Sequence, residues 1–360
     1  MIRRTNGAAR RGSAVGGPWG LRWRLAVLAA LIATAAQLAP VLWRAQGHVD
    51  GYLADTDEMY YAAMLRSAAR DPVSASNPFD AEWRGAVNPF GRILPLVSTI
   101  PIRLRVPPGL WLDAGRWLAS AGTAALLIRL GTAAAAPAVG AAAAALVLLD
   151  PSAFYGKPLG WIVGAGTARP GDPHQLFFSR LYTPGVSLPF FVAALIALSS
   201  LAAARVGARR RLGAALIFAT AGAAGHFFYW TSALGAAGLT VLLHRRRRVI
   251  LPWAAVAGIF LLALVALNYT GSRGTDFVSQ GLRMGFIRTR TPQFLGHAGY
   301  WVGALAATWL AVGPWRVRSP ARVIGAATLG VWLLAMIHAP LGGWDVQSFH
   351  FSYALGVLVP

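Results

Sequence analysis

The charged residues of this chain are gathered into short clusters that separate long apolar stretches. Residues 212–244 contain no Asp, Glu, Lys or Arg, and a run of arginines lies on each side of them. A helix needs about 20 apolar residues to cross the hydrocarbon core of a bilayer, and arginine-rich short loops are typical of the cytoplasmic side. The pattern therefore predicts an all-α, polytopic transmembrane helix bundle.

The composition agrees with a membrane protein. Of 360 residues, 56% are apolar and 12% are charged, whereas soluble proteins carry about 25% charged residues. The absence of cysteine excludes a disulfide framework, an iron–sulfur cluster and thiol catalysis. A net charge of +21 raises the question of nucleic-acid binding. Because the clustered arginines lie between apolar runs, we assign these clusters to cytoplasmic loops and expect no nucleic-acid partner.

The apolar runs give a map of about nine to ten spans. It comprises a basic cytoplasmic N-terminus (1–24), a first transmembrane helix (25–43), a long extracytoplasmic acidic loop with an amphipathic helix (44–106), and a transmembrane bundle (107–360) with outer loops at 150–180 and 270–293. The last apolar run reaches Pro360 without a basic residue after it, so we expect the bundle to be truncated at its C-terminus.

The charge-free residues 212–244 are predicted to form a hairpin that turns near residues 226–230. Both flanking arginine clusters should face the cytoplasm, which requires the chain to cross and return. A single long tilted helix is the alternative, and it would invert the topology of everything that follows.

The acidic residues support this map, in which the basic N-terminus lies inside, and the expected location is the bacterial cytoplasmic membrane. All 12 fall in outer loops or at outer helix ends: Asp50, Asp55, Asp57, Glu58, Asp71, Asp80, Glu82, Asp113, Asp150, Asp172, Asp276 and Asp345. Acidic residues contribute little to topology signals, so their segregation is partly independent of the arginine pattern. The outer face is therefore where carboxylate chemistry is expected.

Three carboxylates, Asp55, Asp57 and Glu58, crowd together shortly after the first span. Like charges this close raise one another's pKa unless a metal, an arginine or helix N–H groups compensate. Such a carboxylate suits a general base, and Asp55 with Asp57 would suit a hard divalent cation. The alternative is structural, because Asp55 and Glu58 have the spacing of a capping box at a helix start.

Three short motifs resemble membrane glycosyltransferases of the GT-C fold, nearest to the protein mannosyltransferase and aminoarabinose transferase type and to bacterial relatives of unknown activity. They are Asp57-Glu58-x-x-Tyr61, Asn77-Pro78-Phe79, and Phe178-Ser179-Arg180-x-x-x-Pro184. The likeness in architecture covers most of the chain, although the large soluble C-terminal domain of some members is absent from this sequence. The resemblance implies transfer of a sugar from a polyprenyl-phosphate donor to an acceptor hydroxyl, with inversion, at the outer face of the membrane.

The resemblance also implies roles for individual residues. Asp57 would be the general base, Glu58 its neighbour, and Asp55 a second candidate base or a cation ligand. Substrate binding is assigned to Tyr61 within the motif and to cationic side chains that would hold the donor phosphate: Arg66, Lys157, Arg180, Arg288 and Arg290. Independently of the resemblance, His350 is a further substrate-binding candidate, because polar groups that open a span usually face the bundle interior or a cavity. For each arginine the alternative is an interfacial anchor.

Two other functions stay open. A transporter or flippase for a lipid-linked substrate would place charged residues within the spans, facing a pathway, and only Asp113 and Arg116 come close to this. A non-catalytic membrane protein could keep the GT-C fold without the activity.

Overall fold

A computed structural model describes much of the helical part of the chain. The described residues are 18–45, 63, 65–66, 69, 99–149, 185–203, 206–223, 227–244, 246–269, 287–288, 305–309, 319–335 and 344–345. The helices with defined ends are α1 (Pro18–Ala45), α2 (Pro108–Ala134), α3 (Pro137–Leu149), α4 (Ser187–Ala202), α5 (Ala208–Ala223), α6 (Phe227–Leu243), α7 (Arg247–Tyr269) and α8 (Ser319–Ala335).

Proline marks the start of three of these helices. The helices α1, α2 and α3 begin at Pro18, Pro108 and Pro137. Proline is favoured in the first helical turn because its fixed φ suits a helix and its missing N–H would have no partner there. The break between α2 and α3 therefore follows directly from Pro137.

The helices α2 and α3 form a hairpin with a very close backbone contact. A Cβ atom added at Gly131 would overlap the Gly140 backbone, and one added at Gly140 would overlap the Ile128 backbone. Glycine at both positions lets the two helices approach to within backbone distance, as small residues do in membrane bundles.

The helix α4 lies at the centre of the described bundle and packs against α2, α5, α6 and α8. Its apolar side chains Phe191, Val192 and Leu195 are almost completely buried. Two hydrogen bonds join opposite ends of α4 and α5: Ser187 Oγ donates to Gly222 O at 2.8 Å, and Arg211 Nη1 donates to Ser200 O at 2.6 Å. The two helices are therefore antiparallel.

Residues 212–244 fold as two helices, α5 and α6, that pack on each other. The Arg209 guanidinium at the start of α5 lies 4.6 Å from the centroid of the Trp253 ring near the start of α7. The helix α6 must therefore return to the end of the bundle from which α5 began. This is the predicted hairpin, and the alternative of one long helix is wrong. Residues 227–230, which were predicted to lie in the turn, form the start of α6 instead.

Two described helices are long and apolar enough to cross a membrane, Pro108–Ala134 and Arg247–Leu264. They differ in burial: 33% of the most apolar part of the first is buried, against 11% of the second. The described bundle is thus helical with two candidate spans, whereas α3 has 13 residues and is shorter than a bilayer crossing requires.

A short pair of strands departs from the prediction of helices alone. The strand β1 (Ile287–Arg288) pairs antiparallel with β2 (Trp344–Asp345), in a register that sets Ile287 opposite Asp345. Ile and Trp are favoured in extended chains, and backbone N–H and C=O groups outside a helix need a partner. The pair joins the segment predicted as the outer loop 270–293 to the segment before His350.

Candidate functional site

Most of the residues predicted from the sequence to act in catalysis or binding lie outside the described residues. This holds for Asp55, Asp57, Glu58, Tyr61, Lys157, Arg180, Arg290 and His350. Arg288 has a described backbone in β1, and Arg66 is described with its side chain. The structure therefore leaves the predicted site untested as a group.

Arg66 belongs to a helical piece of the acidic loop. Residues 63, 65, 66 and 69 are helical, Leu65 is fully buried and Arg66 is exposed. This contrast between neighbours is that of an amphipathic helix. Arg103 Nε donates to Ala69 O at 3.4 Å, which ties this piece to the segment that leads into α2.

The segment leading into α2 ends its helical turn with a left-handed residue. Arg105 has φ +66°, its N–H bonds to Ile102 O at 3.0 Å, and the N–H of Val106 bonds to Pro101 O at 3.0 Å. This is the Schellman pattern, in which glycine is the usual residue at the left-handed position. Ile100 and Leu104 are exposed here beside two exposed arginines, as suits a segment lying at a membrane interface.

A line of polar side chains follows the inner face of α2 and forms the candidate site within the described residues. Asp113, Arg116, Ser120 and Thr123 are three or four positions apart, so they share one face of the helix. Arg116, Ser120 and Thr123 are buried, while Asp113 is partly exposed. We call these residues the α2 polar face.

The charged end of the α2 polar face is an ion pair. Arg116 Nη1 lies 3.3 Å from Asp113 Oδ1, and 9% of the Arg116 side chain is exposed. Removing a guanidinium from water is costly unless an opposite charge compensates it, and Asp113 supplies that charge. Charged groups with so little exposure in a helical bundle are a candidate functional site.

Deeper along the α2 polar face, Ser120 and Thr123 are uncharged. Thr123 Oγ1 is buried and has no hydrogen-bond partner among the described residues. Trp117 lies outside this face, and its Nε1 donates a hydrogen bond to Thr34 Oγ1 of α1 at 3.3 Å. The sequence analysis noted Asp113 and Arg116 only as charges near a helix end. The spacing of residues 113, 116, 120 and 123 is the signal that could have identified the whole face.

A metal site finds no support within the described part of the chain, where no three His, Asp or Glu residues lie close enough to hold an ion. The proposed cation ligands Asp55 and Asp57 lie outside that part.

The fold and the site together define a helical bundle with a buried arginine paired to a partly exposed aspartate, and with an apolar outer helix. Comparison with known proteins finds no matching family model, no significantly similar curated protein and no significantly similar solved structure. The assignment of a function therefore depends on the residues themselves.

Proposed function

We propose that the chain is a multi-spanning protein of the bacterial cytoplasmic membrane with its N-terminus inside. The observation that carries this proposal is the exposed surface of α7. Ile259 and Phe260 are 68% and 63% exposed, and Val256 and Leu262 beside them are exposed as well. A continuous apolar surface of this kind is unfavourable in water and typical of contact with lipid.

Within that membrane, we propose transfer of a sugar from a polyprenyl-phosphate donor to an acceptor hydroxyl at the outer face, in a GT-C-like architecture. Support comes from the crowded carboxylates that follow the first apolar run and from the Asp57-Glu58-x-x-Tyr61 motif. The exposed Arg66, on a helical piece shortly after this motif, offers a guanidinium to a phosphate from the same segment.

The proposed reaction needs one base and several cations. The Asp57 carboxylate takes the proton of the acceptor hydroxyl while the oxygen of that hydroxyl bonds to the anomeric carbon. The bond from that carbon to the donor phosphate oxygen breaks from the opposite side, and the prenyl phosphate leaves. Glu58 would raise the basicity of Asp57 by charge repulsion, and Asp55 would serve as a second base or as a ligand of a divalent cation.

The α2 polar face favours a second candidate, transport or flipping of a lipid-linked substrate. A buried Arg116 paired with Asp113 is what a pathway for an anionic headgroup would provide. The two candidates differ in which residues they require, so substitutions distinguish them.

The test uses the full chain reconstituted in vesicles with a panel of prenyl-phosphate hexoses and pentoses. Donor consumption is followed by mass spectrometry for the wild type, Asp57→Asn, Asp55→Asn and Arg116→Gln. We expect Asp57→Asn to reduce consumption by at least about a hundredfold, as loss of a general base does.

The result that contradicts the enzyme is equal consumption by the wild type and both Asn variants. Movement of donor between leaflets without consumption, lost in Arg116→Gln, would favour the transporter. If the donor is neither consumed nor moved between leaflets, the remaining interpretation is a non-catalytic membrane protein.

A further inference from the structure

An open cavity of about 610 Å³ lies where α6 ends and α7 begins. The residues that line it are Leu243, His244, Arg246, Arg247, Arg248 and Val249. All three arginines are exposed, whereas His244 is buried. The backbone N–H of Arg246 donates to His244 Nδ1 at 3.0 Å. This bond orders the turn and leaves Nε2 as the ring nitrogen that carries a proton when histidine is neutral.

The positive charge around this cavity has no acidic counterpart in the neighbouring sequence. Residues 173–275 contain no Asp or Glu, and in the part of the chain that the structure describes no carboxylate pairs with Arg246, Arg247 or Arg248. The first turn of α7 carries two of these arginines and no acid. Cations at a helix N-terminus are opposed by the helix dipole, so this end of the bundle favours an anion from outside the chain.

An apolar track begins at the cavity and runs along α7. Val249, Trp253, Val256 and Phe260 recur at intervals of three or four residues, so they lie on one face of the helix. All four are exposed, and Val249 also lines the cavity. From Val249 to Phe260 the track extends roughly 17 Å at the rise of an α-helix. We call these four residues the α7 track.

The cavity and the α7 track together match the two parts of a phospholipid. Guanidinium groups bind phosphate oxygens with paired, charge-assisted hydrogen bonds, and an acyl chain needs an apolar surface of about the length of the track. Basic pockets between helices on the cytoplasmic side of a membrane bind anionic headgroups in the same manner.

We propose that this surface binds one anionic phospholipid of the cytoplasmic leaflet. Its phosphate lies in the arginine-lined cavity and an acyl chain lies along the α7 track. The proposal rests on the membrane location proposed above and is independent of sugar transfer.

The test measures binding of dioctanoyl phosphatidylglycerol to the purified full chain in a neutral detergent. We expect Arg247→Gln with Arg248→Gln to weaken this binding roughly thirtyfold, because each arginine near an anionic headgroup contributes substantially to the affinity. The matched control is Arg24→Gln with Arg129→Gln. It removes the same charge from two exposed positions that do not line the cavity, and we expect a change of less than about twofold because most surface charge acts weakly.

A second variant keeps the test decisive if the double substitution fails to fold. Val249→Glu places a carboxylate at an exposed rim position, and we expect it to weaken phosphatidylglycerol binding about tenfold through charge repulsion.

Three results would overturn the lipid site. Dioctanoyl phosphatidylcholine could bind as tightly as phosphatidylglycerol, inorganic phosphate could displace the lipid at equal concentration, or the control could lose as much affinity as the cavity variant. Alkaline carbonate extraction of membranes separates these failures from failure of the membrane location. A chain that stays in the pellet without preferring phosphatidylglycerol contradicts the lipid site alone, and a chain that is released contradicts both proposals.

Discussion

The helices α4 and α7 are both strongly apolar in sequence, yet they have opposite surroundings. The Phe191 side chain of α4 is 1% exposed among four neighbouring helices, and that of Phe260 of α7 is 63% exposed. An apolar helix in water is buried, because exposing that surface costs about 25 cal/mol per Å². The contrast supports the proposal that α7 contacts lipid, whereas α4 contacts other helices.

The proposed lipid environment also determines which contacts should stabilise the protein. When lipid replaces water, helix association depends on close packing and hydrogen bonds rather than on removal of apolar surface from solvent. Substitutions in α4 and its neighbours should therefore lower the free energy of unfolding substantially. Isosteric or smaller apolar substitutions on α7 should change it little.

The largest expected difference is between two phenylalanines. Phe191→Ala opens a cavity beside Tyr229, whose ring centroid lies 5.2 Å from that of Phe191, and should lower the free energy of unfolding by about 3–5 kcal/mol. Phe260→Ala should lower it by less than about 1 kcal/mol. Equilibrium unfolding in mixed micelles, titrated with a denaturing detergent, compares the two. Equal losses would mean that α7 is packed against protein.

A charge on α7 tests the nature of its solvent. Ile259→Asp should lower the free energy of unfolding in the bilayer by about 3 kcal/mol, because a carboxylate near the middle of a span is unfavourable by about that amount. On a helix facing water the same change would be neutral. The measurement is unfolding of the reconstituted protein, with Ile259→Leu as the control, and an unchanged stability for Ile259→Asp would break the comparison.

Two glycines offer a matched pair of smaller effects. Gly140→Ala forces a Cβ atom into the Ile128 backbone and should destabilise the protein by about 2–3 kcal/mol, since the packed hairpin must separate. Gly258→Ala on α7 meets no atom within 4 Å and should be neutral or stabilising by up to about 1 kcal/mol through helix propensity. The order of the two unfolding midpoints is the result to examine.

The smallest expected effect concerns two serines of α4. Ser187→Ala removes the buried hydrogen bond to Gly222 O and should cost about 1–2 kcal/mol, because the carbonyl loses its side-chain partner. Ser200→Ala removes a bond on the exposed side and should change stability by less than about 0.5 kcal/mol. A loss for Ser200→Ala as large as that for Ser187→Ala would show that the outer side of α4 is also packed.

The sequence predicted well which segments form helices, because charge clusters and the length of an apolar run are properties of each segment alone. The hairpin of α5 and α6 followed from arginine clusters at both ends of a charge-free stretch. The difference between α4 and α7 could not be predicted from sequence, since it depends on which helix the rest of the bundle surrounds. The pairing of Ile287 with Asp345 was also inaccessible, because it joins distant segments of the chain.

The candidate site was predicted only in part. Asp113 and Arg116 stood out as charges in an apolar run. The spacing of three and four residues also points to Ser120 and Thr123, but only the structure shows that these two side chains are buried. The carboxylates Asp55, Asp57 and Glu58 stay predictions, since they lie outside the described residues.

The most direct measurement of the central claim uses the absence of cysteine, which makes single labelling sites unambiguous. A spin label at Ile259→Cys in the reconstituted protein is compared with one at Arg66→Cys, an exposed position outside the candidate spans. Collisions with oxygen report lipid, and collisions with a water-soluble nickel complex report water. The label at position 259 should respond to oxygen and be shielded from nickel, and the label at position 66 should respond to nickel. Equal access of nickel to both labels would mean that α7 faces water, which would contradict the account.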